Sequence, residues 1–277
     1  VEQMKAPVKA ASPSAVGGVS AALLAYGEKM KKILDHVIDQ ALDDHDQSAY
    51  IISLPQVKET FDNDIIDDEL FTAMLRERPE IVDMDVCDGG DIMVVLSHES
   101  IIAHDLSKMR VLTQDDVEIM YAKHILFNHD EGGEKADFSG CRLTNLDMRH
   151  MQLNGADFTG ALLEGVRMND AGLCFCTFRD AKLVGCNLNG AIAEESDFCG
   201  ATFTECKMRN GIFTHSNFAH TSFQDTDLWM SSFASCCIEN SSIMDTETEG
   251  VNLSGASEDE ESWVNDSGIR IGGIGGM

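Results

Sequence analysis

Apolar residues change their spacing along this chain, and the change divides it in two. Between Val19 and Leu42, residues Leu23, Tyr26, Met30, Ile33, Leu34, Val37, Ile38 and Ala41 recur every three or four positions, which predicts a helix with one buried stripe. Residues 49–54 read as an extended segment ended by Pro55, and Ile65, Ile66, Leu70, Phe71 and Met74 predict a second helix over 64–76. Two apolar runs, 81–86 and 92–96, flank Asp88-Gly89-Gly90 and predict a β-hairpin. Thr113 opens a third helix running to about Phe127, because an acid at position 116 lies three residues after a capping hydroxyl. The segment 18–130 is thus expected to be a small α+β domain whose final helix caps the second half of the chain. Residues 1–17, rich in Ala, Ser, Pro and Gly, read as a flexible leader.

From Ala136 the spacing becomes five. The chain divides into ADFSG, CRLTN, LDMRH, MQLNG, ADFTG and onward to VNLSG at 251–255, giving 24 units without an insertion. The third residue of each unit is Phe, Leu, Met or Ile except at Ala193 and Thr248; the first is mostly small. Neither the helix period nor the strand period produces this pattern. Every fourth central residue gives Phe138, Phe158, Phe178, Phe198, Phe218 and Ile238, and the neighbouring columns are equally uniform. Twenty residues therefore make one four-sided coil, and six coils spaced like strands stack to roughly 29 Å. A coil buries its core only against its neighbours. Each Phe so buried contributes about 1.5–3 kcal/mol.

The units ADFSG, ADFTG, CNLNG, SDFCG and VNLSG resemble the A-(D/N)-L-x-x pattern of the pentapeptide-repeat family. The resemblance spans 136–256 and implies an all-β right-handed quadrilateral β-helix, usually cytoplasmic. Several members of that family resemble B-DNA in width, twist and charge and occupy the DNA-binding surface of gyrase; others are secreted bacterial effectors. Two departures stand out. A domain precedes the solenoid here, and the tail, 257–277, is acidic and then Gly-rich, with no apolar dimer-forming helix. Trp263 is expected to cover the last coil.

Charge narrows the function. The chain holds 48 acids against 20 bases, a net charge of −28. Like charge excludes direct binding to nucleic acid or to an anionic membrane, and the fitting partner is a basic nucleic-acid-binding protein. Within the solenoid the face bearing the Phe column has five acids against one base, whereas the Met-containing face is nearly balanced. Candidate partner-binding acids are Asp137, Asp157, Asp197, Glu194, Glu195, Glu205, Asp225, Glu247 and Glu249, together with Asp62, Asp64, Asp67, Asp68 and Glu69 ahead of the second helix. Asp137, Asp157 and Asp197 have a competing structural role, hydrogen bonding to their own turns. Glu194, Glu195, Glu205 and Asp225 are expected to point outward and serve no turn.

The remaining chemistry is sparse. Cys141, Cys176, Cys186, Cys206 and Cys236 share one register of the repeat, where a small buried side chain is wanted, so they read as packing residues of a reducing compartment. Cys174 and Cys176 form a C-x-C pair with no second pair or His at ligand spacing. His36, His98, His104, His124 and His129 are scattered and read as surface or cap residues. No catalytic signature, cofactor or metal site is expected. The opening residues lack the layout of a secretory signal. The expected function is a non-catalytic DNA mimic that inhibits or protects a bacterial enzyme, gyrase or a CRISPR-type nuclease. The alternative is a protein-interaction module or secreted effector that uses the solenoid as its docking surface.

Overall fold

The computed structural model describes residues 13–43, 49–61, 66–87, 91–257 and 263, with side chains in the first helix from Glu28 on. Most of the expected leader, Asp62, Asp64, the turn 88–90 and nearly all of the tail lie outside these residues. The chain forms two compact units, Val1–Lys108 and Met109–Met277.

In the first unit, α1 spans Pro13–Asp43, β1 Ala49–Ser53, α2 Leu54–Phe61, α3 Asp68–Arg76, β2 Ile81–Val86, β3 Asp91–Leu96 and α4 His98–Lys108. The sheet is antiparallel in the order β1-β3-β2, and β3 alternates in burial as a central strand does. Met30, Ile33, Leu34, Val37, Ile38 and Ala41 of α1 pack with Ile52, Phe71, Leu75, Ile92 and Val94 into one core. Arg78 ties its surroundings together through Asp35 at 2.6 Å and Glu80 at 3.1 Å.

Four elements differ from the sequence reading, each for a local reason. α1 begins at Pro13, inside the stretch read as a leader, because proline suits a helix start, where its missing N–H costs nothing. Pro55 ends β1 but opens α2, for the same reason. The second predicted helix starts at Asp68 instead of 64, because the side chain of Asp67 accepts from the Leu70 N–H and fixes the N-terminus there. α4 was not expected; Ser97 fixes its start, its Oγ accepting from the Ser100 N–H at 3.1 Å.

The second unit opens with β4 (Arg110–Leu112) and α5 (Gln114–Asn128) and continues through β5 (Cys141–Thr144), β6 (Leu162–Glu164), β7 (Lys182–Val184), β8 (Thr202–Thr204), β9 (Ser222–Gln224) and β10 (Ser242–Met244). These seven strands form one parallel sheet in chain order, and β5 to β10 mark one face of six successive coils. From β5 on the register advances by twenty: Leu143 pairs with Leu163, Leu163 with Leu183, Leu183 with Phe203 and Phe203 with Phe223. Isolated parallel bridges repeat the step on the other three faces, as between Asp157 and Thr177 or Ile192 and Ile212. This is the quadrilateral β-helix that the period of five implied.

Three devices hold it. The central residues are almost all fully buried, and the rings of Phe138, Phe158, Phe178, Phe198 and Phe218 stack at 4.4–4.8 Å. The last residue of every five takes a left-handed conformation, as at Asn145 (φ 56°) and Gly185 (φ 61°), which turns each corner. The first residue of a five, when it is Ser, Thr or Cys, donates to a backbone carbonyl: twenty-three residues earlier, as Ser196 to Leu173, Ser216 to Ala193, Cys176 to Leu153 and Thr226 to Phe203, or three residues earlier, as Thr221 to Phe218 and Ser231 to Leu228. Small polar residues thus sit inside the coil without an unsatisfied group.

Both ends are closed. β4 adds a first rung beside β5, with Leu112 aligned over Leu143, so β4 and α5 belong to the solenoid unit. Thr113 and Asp116 form the predicted capping box of α5. The Gln114 side chain imitates a strand, accepting from the Asp147 N–H at 2.8 Å and donating to its carbonyl at 2.9 Å. His124 is buried, and its Nδ1 accepts from the Ala136 N–H at 3.1 Å. At the far end Trp263 is buried edge-on against Phe223 and Phe233, with centroids 5.5 and 5.0 Å away.

Candidate protein-interaction surface

The coil fixes which side chains face outward: in each five, the second, fourth and fifth. The faces are numbered from Ala136, so the first holds 136–140 and every fourth five after it, and the second carries β5 to β10.

On the first face the second residue of the five works for its own turn. Asp137 Oδ1 accepts from the Ser139 N–H and hydroxyl at 3.0 and 2.6 Å, and Asp157 does the same with Thr159 at 2.9 and 2.6 Å. The bonds from Ser139 hold the Asp137 carboxyl below the usual carboxylate range. Asp197 accepts from the Cys199 N–H at 3.1 Å, from Asn217 at 3.0 Å and from Arg179 at 2.8 Å. On the third face Glu247 likewise accepts from the Glu249 N–H at 2.9 Å. These acids are parts of the turn that leave one oxygen edge outward.

The four acids expected to serve no turn require a correction. Glu195, Glu205 and Asp225 occupy the left-handed corner itself, with φ of 54°, 55° and 50°. Their backbones make the turn while their side chains are exposed. Glu194 is exposed but tied to the next coil, because Thr214 Oγ1 donates to its Oε1 at 2.7 Å. Glu195, Glu205 and Asp225 are each the last residue of their five, a position to which the sequence reading assigned no backbone role. At the corner ending the second face, Glu205, Asp225 and Asp245 follow one another on successive coils, so exposed carboxylates repeat at about one strand spacing, 4.8 Å. Glu249 is also exposed. In the first unit Asp67 caps α3, Asp68 pairs with Lys58 and Glu69 is exposed in the first turn.

The bases are placed differently. Of seven in the solenoid, five sit against an acid: Arg142 on Glu164, Arg149 and Arg167 on Asp147, Arg179 on Asp197 and Arg209 on Asp227. The Arg149 bond, followed by its charge and that of Arg167, holds the Asp147 carboxyl far below its ordinary value. Positive charge is neutralised in place, while the corner carboxylates remain outward.

Nothing in the described solenoid gathers reactive groups. Among the described residues no cluster of three or more His, Cys, Asp or Glu is arranged to hold a metal. Burial pushes the thiols of Cys176 and Cys236 up to about 12, so they pack as inert thiols. Among the described residues no helix is long and apolar enough to cross a membrane.

Comparison with known proteins agrees with the geometry. A family model described as pentapeptide repeats matches in eight copies over residues 134–170 and 181–218. Similar solved structures include Rfr23, a pentapeptide-repeat protein from the cyanobacterium Cyanothece 51142, 17% identical over 34% of this chain and 60% of that one, with a TM-score of 0.22. QnrB1, a plasmid-mediated fluoroquinolone resistance protein, is 19% identical over 46% of this chain and 78% of its own, with a TM-score of 0.26. HetL, from Nostoc sp. strain PCC 7120 and involved in heterocyst differentiation regulation, is 17% identical over 49% and 83%, with a TM-score of 0.20. No curated protein matches the chain. Pentapeptide-repeat proteins generally act as structural or interaction proteins. With its family-model match over 134–170 and 181–218 and its unbroken twenty-residue register, the chain carries a solenoid of pentapeptide repeats behind an α+β unit.

Proposed function

We propose that this protein is a DNA mimic: an acidic body that fills the basic nucleic-acid channel of a bacterial enzyme and inhibits or protects it. The observation that carries the reading is the contrast between the two signs of charge. Most solenoid bases are consumed by ion pairs on the surface, whereas exposed carboxylates recur from coil to coil. A rod presenting regularly spaced negative charge meets a channel built for phosphates as duplex does. The target class is a topoisomerase such as gyrase, or a defence nuclease such as a CRISPR effector, in which case the chain acts as an anti-CRISPR inhibitor. The free, buried cysteines fit a reducing compartment, the cytoplasm.

The test is charge reversal on the partner isolated by affinity capture. Glu205→Lys with Asp225→Lys keeps a side chain at each left-handed corner, so the fold is little changed and only the sign of the charge moves. Affinity should fall at least tenfold at low salt, and the loss should shrink as salt rises. Unchanged affinity with equal salt dependence would leave only a neutral docking module.

A further inference from the structure

The fourth face, 151–155 and every fourth five after it, is unlike the other three. Its only Asp, Glu, Lys or Arg residues are Glu194 and Glu195. Of the six large apolar side chains that the solenoid coils expose, Phe175, Ile192 and Ile212 lie on this face, and Met230 stands at the corner where the third face turns into it. Ile192 and Ile212 are bridged directly on adjacent coils, so their side chains sit one above the other. Phe175 is 60% exposed and Met230 53%.

Two of these residues are in a conformation that works against them. Phe175 has φ 59° and Met230 φ 57°, the left-handed region common to all the corners, and they are the two apolar side chains among corner residues that are otherwise Gly or polar. Neither gains burial in return. Their backbones turn the corner as every other last residue does, but their apolar side chains are left in solvent, where a partner can cover them. The Phe175 N–H bonds the Glu194 carbonyl at 2.9 Å, so the Phe175 corner and the Glu194–Glu195 pair lie on adjacent coils of the same face. The face thus presents an apolar stripe with acid beside it.

We propose that the fourth face docks a segment of the partner that carries an apolar side chain between Lys or Arg residues. This rests on the proposed basic character of the partner, and adds to it. Glu194 and Glu195 select the flanking cations, and Phe175, Ile192 and Ile212 receive the apolar side chain. A second copy of this chain is the poorer occupant, since it brings a net charge of −28 against the same sign. The acidic corners govern encounter, and the stripe governs residence.

The probes are two synthetic peptides of equal length and charge, one alternating Lys with Leu and the other Lys with Ser. They are titrated into the full chain at physiological salt and at low salt. The Lys–Leu peptide should bind about tenfold more tightly, the worth of one buried apolar side chain. Phe175→Gly combined with Ile192→Thr and Ile212→Thr should abolish that difference. Phe175→Gly alone should halve it or more while raising the melting temperature, which separates lost contact from lost fold. Equal binding of both peptides to the unaltered protein overturns the docking face but leaves the charge reading intact. Failure of both peptides even at low salt overturns the charge reading as well. Light scattering that finds a dimer, dissolved by Phe175→Gly, overturns it in favour of a second copy.

Discussion

The rings of Phe158 and Phe178, twenty residues apart in the chain, lie 4.4 Å apart and 3° from parallel. The same stacking continues through Phe198 to Phe218, at 4.8 and 4.6 Å. Phe198 also meets Phe213 edge-on at 6.1 Å, so it joins two columns. Phe198→Ala should therefore cost about 3–5 kcal/mol, because the coils above and below cannot collapse into the space. Phe198→Glu should prevent folding, since nothing at that depth solvates a charge. Chemical denaturation followed by circular dichroism reads both, and a glutamate variant that melts like the parent would refute the register.

Ser196 serves two coils at once. Its hydroxyl donates to the Leu173 carbonyl at 2.7 Å and accepts from the Cys176 N–H at 3.1 Å. Ser196→Ala should cost about 1–3 kcal/mol through the groups it strands. Ser196→Cys should recover most of that loss, because Cys176 and Cys236 fill the same column and bond in the same way. Equal melting of the Ala and Cys variants would show that size alone matters at this position.

The corners separate backbone strain from packing. A Cβ added at Gly185 meets nothing within 4 Å, so Gly185→Ala tests the left-handed conformation alone and should cost about 1–2 kcal/mol. On the same corner, Glu205→Gly should stabilise by up to about 1 kcal/mol. Opposite signs in paired thermal melts are the expected result.

The cap at the first coil is sensitive to acid. Burial lowers the His124 pKa from its ordinary value, and Lys135 adds to the effect. The folded state thus binds its proton less tightly than the unfolded chain. Stability is full above the unfolded value near 6.5 and is lost as pH falls below it toward the folded value. Protonation also turns Nδ1 into a donor, which ends the bond from the Ala136 N–H. Hydrogen exchange at Ala136 should slow less between pH 7 and pH 5 than the intrinsic rate does, an excess of exchange over the intrinsic fall. His124→Gln should flatten that excess.

The solenoid was legible because its rule is local and repeated. One apolar residue in five specifies a buried position, and the Phe138 and Leu143 columns specify the coil length without any long-range information. The cap was partly legible: the hydroxyl and acid of Thr113 and Asp116 announced α5, but nothing marked His124 as buried, since its partner at Ala136 is met only once the first coil closes. The left-handed role of Glu195, Glu205 and Asp225 was present in the register all along, each being the last residue of its five. It was overlooked because side-chain identity was weighed there before backbone position. Phe175 was missed for the same reason, as an apolar residue at a place where apolar residues are not buried. In the first unit, α2 and α4 escaped because each is about two to three turns long, too short for periodicity to declare itself.

The central claim is that this protein takes the place of nucleic acid on its partner, and competition tests that most directly. The captured partner is held at a concentration near its dissociation constant for this protein, and duplex DNA is added at fixed salt while the bound fraction is followed by fluorescence anisotropy. The account predicts that DNA displaces the protein fully, with a midpoint set by the partner's own affinity for DNA. A ternary complex, in which the partner saturated with DNA still binds this protein at unchanged affinity, would contradict it.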